Sequence, residues 1–348
     1  MKKLFHISHT DLDGYGCQLI AKKIFPDGTY YNANYGLEVK SNIKTVLEQI
    51  EELPNEEIFF LISDLNLTTD ESKSLHKNIN KLNENGYKIK LQLLDHHATG
   101  KPSADKYDWY FLDTSRCATK IVFDYFSENY SEFLPSCSEG FKTLIEAIDD
   151  VDIWHDEDPY FEFGKVAMRL ISQANEINST LFPIRNRKYR LDMLEKAIDF
   201  IDEKDGHIKL DDNIHFLKKQ HLMLSDKTDT LDNLSAKYLV YLLEDKKEEL
   251  TIYHDGHKGL LTFTLTNISI PANAFLKANP DFDFFINVGR RGSVAFRADG
   301  KIDVSKIAQA IAGGGGHPNA SGGSFRQWKE TIDYQVVKDF IEHKLNDI

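Results

Sequence analysis

The stretch KIKLQLLDHH, residues 88–97, decides the fold. Its apolar residues predict a buried β-strand that ends in Asp-His-His. Two earlier stretches, LFHIS (4–8) and EIFFLISDL (57–65), have the same strand character. Helical spacing of apolar residues lies between the strands, at 39–53 and 72–86. Strands of this length alternating with helices indicate βαβ units, so the N-terminal half is predicted to be an α/β domain with a mostly parallel sheet flanked by helices.

The second half of the chain has a different pattern. From about Glu249 the apolar period changes to two, as in LTIYHDGHKGLLTFTL, where Asp-Gly predicts a hairpin turn. The helical stretch DVSKIAQAIAG and the glycine-rich GGGHPNASGG follow. These features predict a smaller α+β domain. A polar, helical stretch separates the two halves, and the expected boundaries are 1–185 for the α/β domain, 186–240 for the connector and 241–348 for the smaller domain.

Length and composition exclude several classes of protein. The 348 residues carry a formal net charge of −13, which argues against a protein that coats duplex DNA. No apolar run approaches the roughly 18 residues of a membrane span, and no signal peptide is evident. The three cysteines form no CxxC pair, so a cytoplasmic location is expected. The segment Phe284–Trp328 is basic in this acidic chain, with six basic residues against two acidic ones, and it is a candidate anion site.

Acidic and histidine residues follow the ends of successive predicted elements. Ligands bind at the carboxyl ends of the strands in open α/β sheets, so these side chains are expected to converge. Carboxylates and imidazoles without cysteine suit Mn²⁺ or Mg²⁺, and so many ligands fit two ions that share a carboxylate. The residues concerned are His9, Asp11, Asp13, Asp64, Asp95, His96, His97, Asp149 and Asp150.

The stretches HTDLDG, SDLN, LDHH and IDDVDIW occur in the order and strand context of the DHH phosphoesterase family, which the chain resembles. VAFRADGKIDVSKIAQAIAGGGGHPNASGG in the second half resembles the substrate-binding DHHA1 domain of that family. The resemblance covers most of the chain and implies a catalytic DHH domain followed by a DHHA1 domain. Within the family, the chain is most similar to nanoRNA-degrading oligoribonucleases and dinucleotide phosphodiesterases.

The resemblance implies a role for each matching residue. His97 would contact the scissile phosphate as a donor, and Asp95 would orient neighbouring groups. His6 is the alternative to His9, and Asp149 is the alternative to Asp150. The implied metal ligands are His9 and Asp11 for the first ion, Asp13 and His96 for the second, Asp64 as the bridging carboxylate, and Asp150 as the last carboxylate.

The glycine run of the second half predicts a substrate-binding loop. Gly314, Gly315 and Gly316, with His317, would let backbone N–H groups approach a nucleotide phosphate or terminal base closely. A flexible loop is the alternative explanation of such a run. Arg297 matches an arginine of the family that resembles a phosphate clamp.

The expected function is a Mn²⁺-dependent phosphodiesterase, with Mg²⁺ or Co²⁺ as alternative metals. It would hydrolyse nanoRNA and linear dinucleotides such as pApA to nucleoside monophosphates, by two-metal hydroxide attack on phosphorus. The expected partner is this short substrate, without duplex DNA or membrane, and a homodimer is compatible with the sequence. Four alternatives remain at this point: a 3′-phosphonucleotide (pAp) phosphatase, a cyclic dinucleotide phosphodiesterase, a RecJ-like single-strand exonuclease, and a metal-free nucleotide-binding sensor.

Overall fold

The computed structural model describes residues 2–348, which form two compact units. The first unit extends to Gln173 and adds Arg190–Ile214. The second unit contains Ala174–Tyr189 and His215–Ile348. Two of the three boundaries fall inside long helices of the middle segment, so each of those helices contributes to both units.

A five-stranded parallel sheet with the order β2-β1-β3-β4-β5 forms the centre of the first unit. The predicted α/β fold with a mostly parallel sheet is confirmed, and in this unit every strand pair is parallel. Strand order reverses between β1 and β3, which makes their carboxyl ends the switch point where ligands bind in such sheets. The strands are β1 (Lys3–Ser8), β2 (Thr29–Asn32), β3 (Glu57–Ser63), β4 (Lys88–Asp95) and β5 (Tyr110–Leu112).

Helices cover both faces of this sheet, which explains why all positions of β3 after Glu57 are buried. Ile7, Phe60 and Leu93 pack on one face with residues of α2 and α3. On the other face, Phe59 packs near Phe25, which follows α1. The helices here are α1 (Leu12–Ile24), α2 (Leu37–Glu51), α3 (Thr69–Glu84), α4 (Lys101–Ala104), α5 (Ala118–Asn129), α6 (Phe133–Ser136), α7 (Glu139–Asp152) and α8 (Phe161–Ser172).

The middle segment is helical, as its polar periodicity predicts. It contains α9 (Pro183–Ile201), α10 (Gly206–Leu222) and α11 (Leu231–Glu244). Among residues 2–348, no helix combines the length and apolar character that crossing a bilayer requires.

A six-stranded mixed sheet with the order β10-β11-β9-β8-β7-β6 forms the second unit. Phe263, Ile286 and Phe296 pack against α14 and α15 on one face, and Phe285 meets Phe275 of α13 on the other. This is the predicted smaller α+β domain. Its elements are α12 (Lys247–Leu250), β6 (Thr251–His254), β7 (His257–Phe263), α13 (Ser269–Ala278), β8 (Phe284–Val288), β9 (Ser293–Ala298), α14 (Val304–Ala312), β10 (Gly315–His317), β11 (Ala320–Ser324) and α15 (Tyr334–Asn346).

Candidate metal centre

The carboxyl ends of three neighbouring strands build the candidate site. β1 leads to His9, Asp11 and Asp13, β3 leads to Asp64, and β4 ends at Asp95 before His96 and His97. Three groups, each with ligand atoms within 4.8 Å of one another, form there. The groups are His9, Asp11 and Asp64; Asp64, His96 and His97; and Asp13, His96 and Asp152. Asp64 and His96 each belong to two groups, so the cluster is continuous.

Asp64 lies at the centre of this cluster and has an unusual backbone conformation and a buried side chain. It follows β3 with a φ of 54°, a left-handed conformation that Asp tolerates better than most residues. Its side chain is buried, and its Oδ2 atom accepts no hydrogen bond from any residue in 2–348. A buried carboxylate oxygen without a donor is costly unless a cation compensates it.

His9 and Asp11 form one side of the cluster. His9 Nδ1 lies 2.7 Å from Asp11 Oδ2 and 3.7 Å from Asp64 Oδ2. Asp11 is also the N-cap of α1, because its Oδ1 accepts a hydrogen bond from Gly14 N. Burial raises the pKa of Asp11, but the hydrogen bond and charge of His9 outweigh it and lower the pKa to about 2. Asp11 is therefore an ionised oxygen donor at neutral pH.

His96 forms the other side of the cluster and has three carboxylates around it. Its Nε2 lies 3.6 Å from Asp13 Oδ2, 3.5 Å from Asp64 Oδ1 and 3.5 Å from Asp152 Oδ2. Asp13 is fixed in place by Ala118 N and Thr119 N, which donate to its two carboxylate oxygens at 2.8 and 2.6 Å. These N–H groups start α5, where no intrahelical acceptor exists, so the helix end stabilises the anion.

Asp150, the predicted last carboxylate, does not join this cluster, and Asp152 does. Asp150 Oδ2 instead accepts a hydrogen bond from Tyr160 N at 3.2 Å. The reason is helical geometry. Both residues lie in the last turn of α7, where a separation of two positions turns the side chains to opposite faces. The choice of Asp150 rests on the family resemblance, whereas the helical period of LIEAIDDVD separates the two faces.

The two alternatives left by the sequence are also distinguished by position. His6 is buried inside β1 with Nε2 2.8 Å from Ser63 Oγ, whereas His9 lies in the cluster. Asp149 lies on the same face of α7 as Asp152, but its carboxylate oxygens accept hydrogen bonds from Cys117 N at 2.7 Å and Lys120 Nζ at 3.1 Å. Asp149 is therefore bound by other residues and is not a member of the cluster.

His97 is held by the carboxylate that precedes it. Asp95 Oδ1 lies 2.8 Å from His97 Nδ1, and Asp95 Oδ2 accepts a hydrogen bond from Tyr110 Oη at 2.6 Å. Burial lowers the pKa of His97, but the hydrogen bond and charge of Asp95 outweigh it and raise the pKa overall. His97 Nδ1 also lies 3.9 Å from Asp64 Oδ1, so both carboxylates are on the Nδ1 side of the ring and Nε2 faces away from them.

The electrostatics of the cluster fit divalent cations. Burial, reinforced by Asp13 and Asp11, raises the pKa of Asp64 well above its usual range. The same causes raise the pKa of Asp152 to about 8. Carboxylates this close repel one another unless cations lie between them. Four carboxylates and three imidazoles, with no cysteine, are the donor set of a divalent-metal centre.

The predicted substrate-binding residues lie in the second unit, on adjacent strands. His317 of β10 pairs with Ala320 of β11, and Ala320 pairs with Arg297 of β9. Directly paired residues point to the same face of a sheet, so the imidazole and the guanidinium flank the small Ala320 side chain. Arg297 has no acidic partner among the described residues, and its guanidinium donates to Ser269 Oγ at 2.9 Å and to Phe296 O. The Arg297 guanidinium is therefore not held in an ion pair within the described residues.

The glycine run has an ordered structure rather than the alternative flexible loop. A Cβ atom on Gly314 would lie 1.9 Å from Gly322 O, and Gly316, at φ 145°, would bring one to 2.6 Å from Ala320 O. Both glycines are therefore required by the close approach of β11. Gly315, like Gly313, has open space where its Cβ would be, so packing does not require a glycine there.

The α/β fold and its cluster of carboxylates and imidazoles define a protein with a candidate divalent-metal centre at the switch point of its sheet. The family model of the DHHA1 domain matches residues 268–347. A Helicobacter pylori (strain 26695) protein named 3′,5′-cyclic-nucleotide phosphodiesterase is 39% identical over 347 residues, with 100% of both chains covered. Oligoribonuclease NrnB of Bacillus subtilis (strain 168) is 24% identical over 330 residues, covering 92% of this chain and 72% of that protein.

A crystal structure of a protein from Helicobacter pylori G27, described as uncharacterized, has a TM-score of 0.94, with 40% identity and 100% of both chains covered. The chain belongs to the DHH/DHHA1 phosphoesterase family. The predicted enzyme class, a metal-dependent phosphodiesterase, is confirmed at this level.

Proposed function

We propose that the protein hydrolyses the phosphodiester bond of short oligonucleotides and linear dinucleotides such as pApA, releasing nucleoside monophosphates with Mn²⁺ as the metal. The observation that carries the proposal is the cluster around Asp64, in which four carboxylates and three imidazoles converge at the switch point of a parallel sheet. A mixed carboxylate and imidazole donor set suits Mn²⁺ better than Ca²⁺ or structural Zn²⁺.

The ligands divide into two sets around the shared carboxylate. His9 and Asp11 would hold one ion and Asp13, His96 and Asp152 the other, while Asp64 would bridge them. This assignment keeps the predicted ligands except Asp150, which Asp152 replaces. Divalent ions bound there would polarise the phosphoryl oxygen and lower the pKa of water, so that hydroxide is available to attack phosphorus near neutral pH.

The chain's own residues would bind and orient the phosphate. His97 Nε2 would donate to a non-bridging phosphoryl oxygen, because Asp95 occupies Nδ1 and holds the ring in one orientation. In the DHHA1 domain, Arg297 and His317 would contact the substrate from one face of the sheet, with the backbone at Gly315 available for a phosphate or base. These contacts suit a substrate with few phosphates, as does the net charge of −13.

The remaining expectations form part of the same proposal. The domain boundaries are 1–185, 186–240 and 241–348, and a homodimer is compatible with the chain. The partner is a short nucleotide substrate, with neither duplex DNA nor membrane. A cytoplasmic location fits the three cysteines Cys17, Cys117 and Cys137, which are buried free thiols.

A second candidate substrate class is 3′,5′-cyclic mononucleotides. The specific observation in its favour is 39% identity over the full length of the H. pylori protein that bears this name. A cyclic mononucleotide and a linear dinucleotide both contain a diester to a ribose 3′ oxygen. The same centre would therefore cleave either, and the difference would lie in how much nucleoside the site must hold.

Product analysis by anion-exchange chromatography tests both candidates. Purified protein with Mn²⁺ is given pApA, 3′,5′-cyclic AMP, cyclic diadenylate, 3′,5′-bisphosphoadenosine and a 20-nucleotide single strand. Rapid release of AMP from pApA, with the long strand spared, supports the proposal, and preferential hydrolysis of cyclic AMP supports the second candidate. Fast degradation of the long strand, or silence across the panel, overturns both. Asp64→Asn, which removes the shared ligand, controls for contaminating nucleases.

A further inference from the structure

Tyr35 lies beside the candidate metal centre and has no part in the roles assigned above. It follows β2 in the segment that leads to α2, and 46% of its surface is exposed. Its ring centroid lies 5.4 Å from that of His9 and 6.1 Å from that of His97. The Tyr35 hydroxyl is 3.5 Å from His97 Nε2, the nitrogen left for the substrate phosphate.

Hydrogen bonds fix the backbone that carries Tyr35. Thr10 Oγ1 donates to Asn34 Oδ1 at 2.8 Å, which connects this segment to the loop after β1. Asn34 N and Nδ2 both donate to Glu38 Oε2, at 2.7 and 3.0 Å. The segment is therefore held from both sides, and the aromatic ring can meet a ligand at a low cost in conformational entropy.

Core packing does not explain this aromatic side chain, whose surroundings include the rings of His9 and His97 and the backbone of Asn66. Tyr35 is absent from the core of the first unit, where Tyr107 and Tyr110 are buried. Its hydroxyl contact with His97 is at the long limit of a hydrogen bond. What the position offers is a neutral aromatic face, half exposed, next to the nitrogen that would hold the phosphate. Aromatic side chains on which bases stack are a general means of binding single-stranded nucleic acid.

We propose that Tyr35 is the stacking platform for the nucleobase adjacent to the scissile phosphate. This inference rests on the proposed function, because it requires a nucleotide phosphate at His97. A ring that stacks on a base contacts its aromatic face and not its hydrogen-bonding edge. Tyr35 would therefore favour a nucleotide over a sugar phosphate that lacks a base, without selecting among bases.

The test compares two ligands that contain no phosphodiester bond for the enzyme to hydrolyse. Isothermal titration calorimetry on the Mn²⁺-loaded protein gives dissociation constants for AMP and for ribose 5-phosphate, which lacks the base. The variants are Tyr35→Ala, Tyr35→Phe and, as a matched control, Tyr253→Ala, which removes another exposed tyrosine, on β6. Circular dichroism and Mn²⁺ titration of each variant establish that it is folded and binds the metal.

We expect Tyr35→Ala to weaken AMP binding by about fivefold or more, the lower end of base stacking energies, and to leave ribose 5-phosphate unchanged. Tyr35→Phe should keep the AMP affinity within about twofold, because the aromatic face remains. Equal AMP affinities in the wild type and Tyr35→Ala would overturn the inference, as would an equal loss in Tyr35→Phe, which would assign the effect to the hydroxyl. A wild-type protein that binds AMP no better than ribose 5-phosphate, and does not cleave pApA, would overturn the proposed function as well.

Discussion

Replacing Asp152 by Asn, with Asp150→Asn as its matched partner, tests the ligand set most directly. The pKa of Asp152 is about 8 in the folded, metal-free protein, against an ordinary 3.8. Between these values the folded state binds a proton that the unfolded state does not, so stability falls as the pH rises through this window. Asn does not titrate, and the variant should lack this loss.

The magnitude follows from the size of that shift. One pKa unit corresponds to about 1.4 kcal/mol, so a displacement of about four units sets an upper limit of about 6 kcal/mol. The Asp152 side chain is 25% exposed and shares its repulsion with Asp13 and Asp11, which reduces the effect. We expect Asp152→Asn to stabilise the metal-free protein at pH 8.5 by about 2–4 kcal/mol, roughly 5–10 °C in the unfolding midpoint of a unit of this size.

Saturating Mn²⁺ should offset most of this difference in stability. For each ion, the wild type gains about 2.7 kcal/mol at a metal concentration one hundred times the dissociation constant, whereas Asp152→Asn has lost a ligand of one ion and should gain less. Asp150→Asn should behave like the wild type, because the amide oxygen of Asn can still accept the hydrogen bond from Tyr160 N.

Thermal unfolding followed by circular dichroism, at pH 5.0, 7.0 and 8.5, with EDTA or with Mn²⁺, measures both effects. The reasoning is refuted if Asp150→Asn abolishes stabilisation by Mn²⁺ while Asp152→Asn retains it. It is refuted as well if Asp152→Asn fails to stabilise the metal-free protein at pH 8.5.

Three further predictions follow from the same geometry. Mn²⁺ affinity should rise with pH between 6 and 8, because the pKa values of Asp64 and Asp152 are raised and their carboxylates must lose protons before they can bind the metal. Calorimetry in two buffers of different ionisation enthalpy measures the protons that binding releases. Zero proton release would contradict this prediction. Asp95→Asn should lower kcat about 10- to 100-fold with Mn²⁺ still bound, because the His97 ring loses the carboxylate at Nδ1; unchanged kcat would remove Asp95 from an orienting role. Gly314→Ala should lower the midpoint of thermal unfolding, since its Cβ would overlap Gly322 O, whereas Gly315→Ala should not; equal midpoints would show that β10 and β11 can separate without cost.

The arrangement of the first unit was predictable because its signals are local. Strands β1, β3 and β4 are apolar runs long enough to be recognised, and the helices between them have regular amphipathic spacing. The hairpin turn at Asp255-Gly256 was predictable for the same reason, and both residues have the positive φ that a tight hairpin turn requires. The edge strands β2 and β5, of four and three residues, are too short for any periodicity to show.

Parts of the site were not predictable from sequence because they depend on tertiary contacts. The convergence of His9, Asp64 and His96 follows from the rule that ligands gather at strand ends, and that rule needs only the strand assignments. The choice between Asp150 and Asp152 depends on which face of α7 packs toward His96. The position of Tyr35 depends on how a loop folds back over the ends of two strands, for which the sequence carries no periodic signal.

The centre also shows why such a site is kept despite its cost to the metal-free fold. Asp64 combines a left-handed backbone, burial and an oxygen without a donor, three features that each destabilise a protein without its metal. They coincide at the end of β3, which lies between β1 and β4, so the carboxylate of Asp64 faces ligands that follow both neighbouring strands. Asp64→Asn should therefore be more stable than the wild type in EDTA and inactive with Mn²⁺. The instability of the metal-free centre and its capacity to bind cations thus have one origin, the carboxylate charge concentrated around Asp64.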